Sequence, residues 1–221
     1  MDRSDPAYRG QADYTPVLLR LYDPIVVRHL SRILWHAEGA PLIDMYRRHI
    51  RDGHLDVGPG TGYFIDQSGL RDGSRVTLLD PNPNVLAHAS RRLRRFDVRA
   101  VEADVLKPLP IAGPVPSAAL NLVLHCLPGP MSRKAHAIEN IAAVLSPTGT
   151  LFGATVLGRS GDHGWLGRRV LAAFNRRGAF DNLDDSEQGL REILEASFET
   201  VELDTYGSAA VFTATRPRRP A

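Results

Sequence analysis

The stretch that most constrains this chain is His54-Leu55-Asp56-Val57-Gly58-Pro59-Gly60-Thr61-Gly62-Tyr63. A short β-like run carrying one acid ends in glycines at three alternate positions, Gly58, Gly60 and Gly62. A strand that stops at such a turn and resumes as a helix points to strand–helix alternation around a sheet. Glycines there can serve a tight turn on steric grounds alone. They can also let the backbone approach a ligand closely, with free N–H groups pointing at it. Three of them after a β run and an acid favour the second reading.

The rest of the chain keeps that alternation. Helical spacing of apolar residues predicts a helix over 16–36, interrupted near Pro24, and a shorter one over 40–50. After the glycine turn come a helix over 61–69, a strand Arg75–Asp80, a helix Asn84–Arg95 and a strand Val98–Glu102. Ser117–His125 is a mostly apolar run, as expected of a central parallel strand covered on both faces. Then follow an amphipathic helix Met131–Leu145, a strand Gly149–Leu157, and helices over 164–178 and 186–197. Thr200–Tyr206 and Ala209–Thr215 meet at Gly207-Ser208, a hairpin signal. The expected fold is α/β: a Rossmann-like three-layer sandwich with a seven-stranded, mostly parallel sheet, an antiparallel terminal hairpin and an N-terminal helical lid.

Composition narrows the function classes. At 221 residues the chain can bury a core without a disulfide or metal staple, and its single cysteine, Cys126, excludes an internal disulfide. Basic residues number 27, of which only Lys107 and Lys134 are lysine, against 25 acidic ones; the net charge of +2 argues for neither a nucleic-acid nor a membrane partner. No run is long and apolar enough for a transmembrane helix, and the first residues lack the features of a signal peptide. A cytoplasmic enzyme is expected. One cysteine and scattered histidines offer no metal-ligand spacing.

The dinucleotide fingerprint G-x-G-x-x-G would need a third glycine where Tyr63 stands. The pattern present, D-x-G-x-G-x-G from Asp56 to Gly62, resembles the first motif of class I S-adenosylmethionine-dependent methyltransferases. Asp80 ends the next strand, followed by Pro81 and Asn82. An acid there can accept from both ribose hydroxyls, in dinucleotide folds as in methyltransferases. Glu102-Ala103-Asp104-Val105 matches the place where the resembled family meets adenine through an acid and the next backbone N–H. Asn121 to Gly129 (NLVLHCLPG) fills the place of the motif that passes under the sulfonium. Leu145–Leu151 (LSPTGTL) resembles the turn into the fifth strand, with Thr148 where a glycine is usual. The strings YTPVLLRLYD, LDVGPGTGYF, LNLVLHCLPG and NLDDSEQGLR resemble small-molecule methyltransferases of microbial and fungal secondary metabolism.

The resemblance implies one methyltransferase domain over 1–221. Residues 1–45 would be a lid, 50–157 the cofactor core, 158–198 the substrate-side helices and 199–216 the hairpin. S-adenosylmethionine would be the cofactor, held by Asp56, Gly58, Pro59, Gly60, Gly62, Asp80, Pro81, Asn82, Asp104, Val105, Asn121 and the lid aromatic Tyr14. His125 stands where it could act as a base or merely shape the floor, and the floor role is preferred. Trp165 and Tyr22 are candidate substrate contacts, with core packing as the alternative for Tyr22 and an exposed helix for the segment of Trp165. The acceptor would be a small molecule with an O, N or S nucleophile, and the chain a monomer or a homodimer. An inactive nucleoside-binding homologue or regulator, and a nicotinamide-dependent oxidoreductase, are the rival readings.

Overall fold

The computed structural model describes residues 39–160 and 163–219. The helix expected over 16–36 with Tyr22, and the lid aromatic Tyr14 ahead of it, lie outside the described residues. The chain begins with α1 (Gly39–His49), β1 (His54–Val57), the single turn α2 (Tyr63–Asp66) and β2 (Arg75–Asp80). It continues through α3 (Pro83–Arg92), β3 (Asp97–Glu102), β4 (Val115–Leu120), α4 (Met131–Val144) and β5 (Leu145–Val156). It ends with α5 (Trp165–Arg176), α6 (Glu187–Ser197), β6 (Phe198–Tyr206) and β7 (Ala209–Pro217).

The seven strands form one sheet in the order β3-β2-β1-β4-β5-β7-β6. The first five neighbours pair in parallel, and β7 runs antiparallel to both β5 and β6. The α/β sandwich with a terminal hairpin turning at Gly207-Ser208 is therefore as expected. The order reverses beside β1, between its neighbours β2 and β4. In open α/β sheets such a switch point opens a crevice at the carboxyl ends of the strands.

All four residues of β1 are buried, as a central strand covered on both faces requires. Leu55 and Val57 join Ile138 and Ile141 of α4 and Leu190 and Leu194 of α6 in one apolar cluster. A second cluster gathers Leu42, Met45 and Tyr46 of α1, Leu86 and Ala89 of α3, and Phe152 of β5. Period-two alternation sends the polar His54 and Asp56 to this second side, where buried polar groups need partners. Those partners build part of the site below.

Three elements differ from expectation. The helix expected over 61–69 is one turn long: the Ser68 hydroxyl donates to the Ile65 carbonyl at 2.7 Å, and Gly69 turns the chain with φ +76°. The strand expected over 149–157 begins at Leu145, and its pairing with β4 shifts register between Val115 and Ser117. The strand expected over 117–125 stops at Leu120. Leu122 adopts φ 59°, a left-handed conformation unusual for a bulky residue, while its N–H donates to the Ala154 carbonyl at 2.7 Å. The chain then enters a short 3₁₀ turn, Leu124–Cys126. The apolar run there reflects burial beneath a cleft, not a longer strand.

Candidate active site

The glycine turn and the ends of β2, β3 and β4 enclose a cleft. Its lining includes Gly58, Pro59, Gly60, Asp80, Pro81, Asn82, Asp104, Val105 and Asn121, so most of the cofactor residues expected from the sequence come together. Gly62 and Asp56 support it from behind. A Cβ on Gly62 would crowd Leu93 at 3.1 Å, and Asp56 is buried on the α1 side of β1.

The loop needs glycine for two different reasons. At Gly58, φ is +67° and a Cβ would collide with the Val123 side chain, so the turn packs directly against the segment after β4. At Gly60, φ is +55° but a Cβ would meet nothing within 4 Å. Its open side is the cleft. Arg92 braces the turn by donating to the Thr61 hydroxyl at 2.8 Å, and Arg95 pairs with Asp66 at 2.7 Å. Arg92 ends α3 and Arg95 lies just beyond it, so the end of this helix anchors both the glycine loop and α2.

Asp80 receives the Asn82 N–H at 2.7 Å, and Asn82 in turn caps α3 by accepting from the Asn84 N–H at 3.0 Å. The Asp-Pro-Asn-Pro-Asn order suits this: Asn is a strong N-cap and proline is at home in the first helical turn. Burial raises the Asp80 carboxyl to about 7, against the opposing Asn82 N–H. Asp104 likewise holds its loop by accepting from the Leu106 N–H at 3.0 Å. The far wall is apolar: Leu122, Val123, Cys126, Leu127 and Pro128. Burial pushes the Cys126 thiol up to about 12, which keeps it protonated.

His125 does not line the cleft, although Cys126 beside it does. The 3₁₀ turn directs its ring inward, where Nδ1 accepts the Val156 N–H at 3.3 Å and lies 3.3 Å from the Thr155 hydroxyl. Its ring meets Phe180 edge-on at 4.4 Å. Burial, reinforced by Lys134, lowers it to about 3. Its ring is held neutral among core contacts and set back from the cleft. Trp165 is likewise outside the cleft: it stands 67% exposed at the start of α5. Asn175 and Asn182 join their amides at 3.0 Å, and Asn182 donates to the Val156 carbonyl at 2.8 Å, tying α5 to β5.

Sequence reasoning missed Tyr46, which lines the cleft from α1 and donates its hydroxyl to Asp56 Oδ2 at 2.9 Å. It also missed Lys134, enclosed against Asp185. Neither carries a local signal: one is an aromatic in a helix, the other a lone lysine.

A family model described as a methyltransferase domain matches residues 55–151. The demethylluteothin O-methyltransferase of Streptomyces thioluteus is 37% identical over 207 residues, spanning 93% of this chain and 90% of that protein. The chain belongs to the class I S-adenosylmethionine-dependent methyltransferases. A second relative, the physcion biosynthesis cluster O-methyltransferase of Aspergillus chevalieri, is 35% identical over 221 residues, covering 99% of this chain and 100% of that one. The N-methyltransferase NodS of Bradyrhizobium japonicum WM9, solved with S-adenosyl-L-homocysteine, shares the fold. It has a TM-score of 0.59 and 17% identity over 82% of this chain and 88% of its own. The methyltransferase's rival readings, a nicotinamide oxidoreductase and an inactive regulator, are not favoured.

The cleft suits S-adenosylmethionine on its own features. It presents an open glycine backbone, an acceptor at Asp80 and a buried Asn121 Oδ1 that has no partner. No helix among the described residues is long and apolar enough to cross a membrane, and these residues hold no cluster fit for a metal.

Proposed function

We propose that this methyltransferase transfers a methyl group to the hydroxyl of an apolar small molecule, one whose oxygen is already acidic, such as a phenol or enol. The observation that carries this reading is the apolar wall of Leu122, Val123, Cys126, Leu127 and Pro128. Its only ionisable group is a thiol held protonated, so no described residue on that wall can take a proton at neutral pH. An acceptor that ionises readily needs no such base. The O-methyltransferase names of the two curated relatives support the same atom.

The cofactor supplies an electrophilic methyl on a sulfonium. In this reading Gly58, Pro59 and Gly60 lie along it, Asp80 with Pro81 and Asn82 holds the ribose, Asp104 and Val105 meet adenine, and Asn121 lies at the amino-acid end. The wall excludes water and holds acceptor and methyl collinear, which can supply several kcal/mol of barrier reduction by positioning alone. The single thiol supports a reducing, cytoplasmic setting. Turnover against matched phenols, enols, amines and thiols, scored by S-adenosylhomocysteine release and product mass, tests the assignment. Methylation confined to amines or thiols would overturn it.

A further inference from the structure

The apolar wall of the cleft has two parts with different anchors. Leu122 and Val123 belong with the glycine turn and β5. The Leu122 N–H donates to the Ala154 carbonyl at 2.7 Å, and Val123 fills the space that a Cβ on Gly58 would need. Cys126, Leu127 and Pro128 form the other part and lead into Gly129 and Pro130. Proline has no N–H, so in Pro128-Gly129-Pro130 only Gly129 can donate from the backbone. That N–H goes to Asp181 Oδ2 at 2.7 Å, across 52 positions. The N–H of the same aspartate donates to the His125 carbonyl at 2.9 Å. Asp181 thus holds the chain at 125 and again at 129, and Cys126, Leu127 and Pro128 are the residues between.

Asp181 is itself seated on the core. Its carbonyl accepts from Lys134 Nζ at 2.6 Å, and Asp185 Oδ2 fixes that ammonium at 2.6 Å. Its neighbours are held as well. Phe180 meets the His125 ring edge-on at 4.4 Å, and Asn182 donates to the Val156 carbonyl at 2.8 Å. The tether therefore rests on α4 and β5. Asp181 is exposed and is not among the described residues that line the cleft. The groups it bonds, on His125, Gly129 and Lys134, lie outside the set assigned to the cofactor. A change at its carboxylate should reach the far part of the wall and spare the cofactor's own contacts.

Resting on the reading above that this wall faces the acceptor, we propose that Asp181 is a positioning residue for acceptor binding: by holding the chain at His125 and Gly129 it keeps Cys126, Leu127 and Pro128 against the acceptor. Cys126 is the chain's single cysteine, so alkylation by iodoacetamide, read by mass, reports on this arc alone. Asp181→Ala keeps both backbone tethers and loses only the Gly129 bond. Labelling follows the open population of the segment, so the variant should alkylate about tenfold faster, the effect of one such bond. KM should rise by a similar factor for whichever phenol, enol, amine or thiol the chain turns over. Calorimetric affinity for S-adenosylhomocysteine should stay at the wild-type value. Asp181→Asn, whose amide oxygen can still accept from Gly129, should restore both alkylation and KM. Asp181→Leu keeps the bulk without an acceptor and serves if Asp181→Ala does not fold. A merely structural Asp181 would lower the melting temperature alone. Either alkylation or KM left at the wild-type value overturns the proposal, and so does a loss of S-adenosylhomocysteine affinity equal to the rise in KM. An acceptor that proves to be an amine or a thiol overturns the hydroxyl reading and leaves the Asp181 role standing. A wild-type chain that does not bind S-adenosylhomocysteine overturns the cofactor reading, and the Asp181 role with it.

Discussion

Lys134 Nζ lies 2.6 Å from Asp185 Oδ2, with 0% and 3% of the two side chains exposed. The same ammonium donates to the Asp181 carbonyl at 2.6 Å. Asp181 in turn donates its N–H to the His125 carbonyl at 2.9 Å and accepts the Gly129 N–H at 2.7 Å. The segment between α5 and α6 therefore clasps the stretch that forms the apolar wall of the cleft.

Removing one partner of that pair leaves a buried charge without compensation. Lys134→Ala should lower stability by about 3–5 kcal/mol in chemical denaturation. Lys134→Met combined with Asp185→Leu should lose much less, because neither charge then remains. Equal losses in the single and double variants would show that packing, and not the ion pair, sets the effect.

His125 provides a pH test of stability. Its folded value of about 3 lies below the unfolded value of about 6.5. Both states are neutral above pH 6.5, so nothing changes there. Below it the unfolded chain takes up a proton that the folded chain refuses. Stability should fall by about 1.4 kcal/mol per pH unit between roughly 6.5 and 3 on account of this group. His125→Gln should flatten that limb in denaturation curves taken at pH 7, 6 and 5. The same variant should keep most of its turnover, and its rate–pH profile should keep its shape. A hundredfold loss of turnover in the folded variant would restore a base role.

Asp80 makes cofactor binding depend on pH. Its carboxyl, raised to about 7 by burial, must be ionised to accept from both ribose hydroxyls. S-adenosylhomocysteine affinity should fall toward tenfold per pH unit below 7, and Asp80→Asn should remove that slope while lowering affinity by about 10- to 100-fold at pH 8. Stability runs the other way. The folded value lies above the unfolded one of about 3.9, so the carboxyl destabilises the fold progressively as pH rises from 4 to 7. Asp80→Asn should therefore melt higher than wild type at pH 8. A slope unchanged in Asp80→Asn would remove Asp80 from the ribose site.

Gly58 and Gly60 should respond differently to the same added methyl. Gly58→Ala meets Val123 and should reduce both melting temperature and ligand affinity. Gly60→Ala places its methyl where no protein atom lies within 4 Å and costs only the left-handed backbone strain of about 1–2 kcal/mol. Gly60→Val adds bulk to the ligand's own space and should reduce S-adenosylhomocysteine affinity at least tenfold more than Gly60→Ala does. Calorimetry beside thermal melts separates the two effects, and an unaffected affinity in Gly60→Val would place the ligand elsewhere.

What the sequence by itself determined was local. The glycine turn and the Gly207-Ser208 hairpin follow from backbone freedom and hydrogen bonds between near neighbours, and both stand where the residues place them. Strand and helix identities followed from hydrophobic period for the same reason. Only the tertiary structure decided the partnerships across long separations. Tyr46 meets Asp56 from a different element, and Lys134 meets Asp185 across 51 positions. An apolar run such as 121–127 reads alike whether it continues a strand or folds under a cleft, because burial selects apolar residues in both. The left-handed Leu122 turned that run aside and set His125 back from the cleft lined by the described residues. A conformation costly for leucine is imposed by the surrounding fold, so no local preference could have announced it.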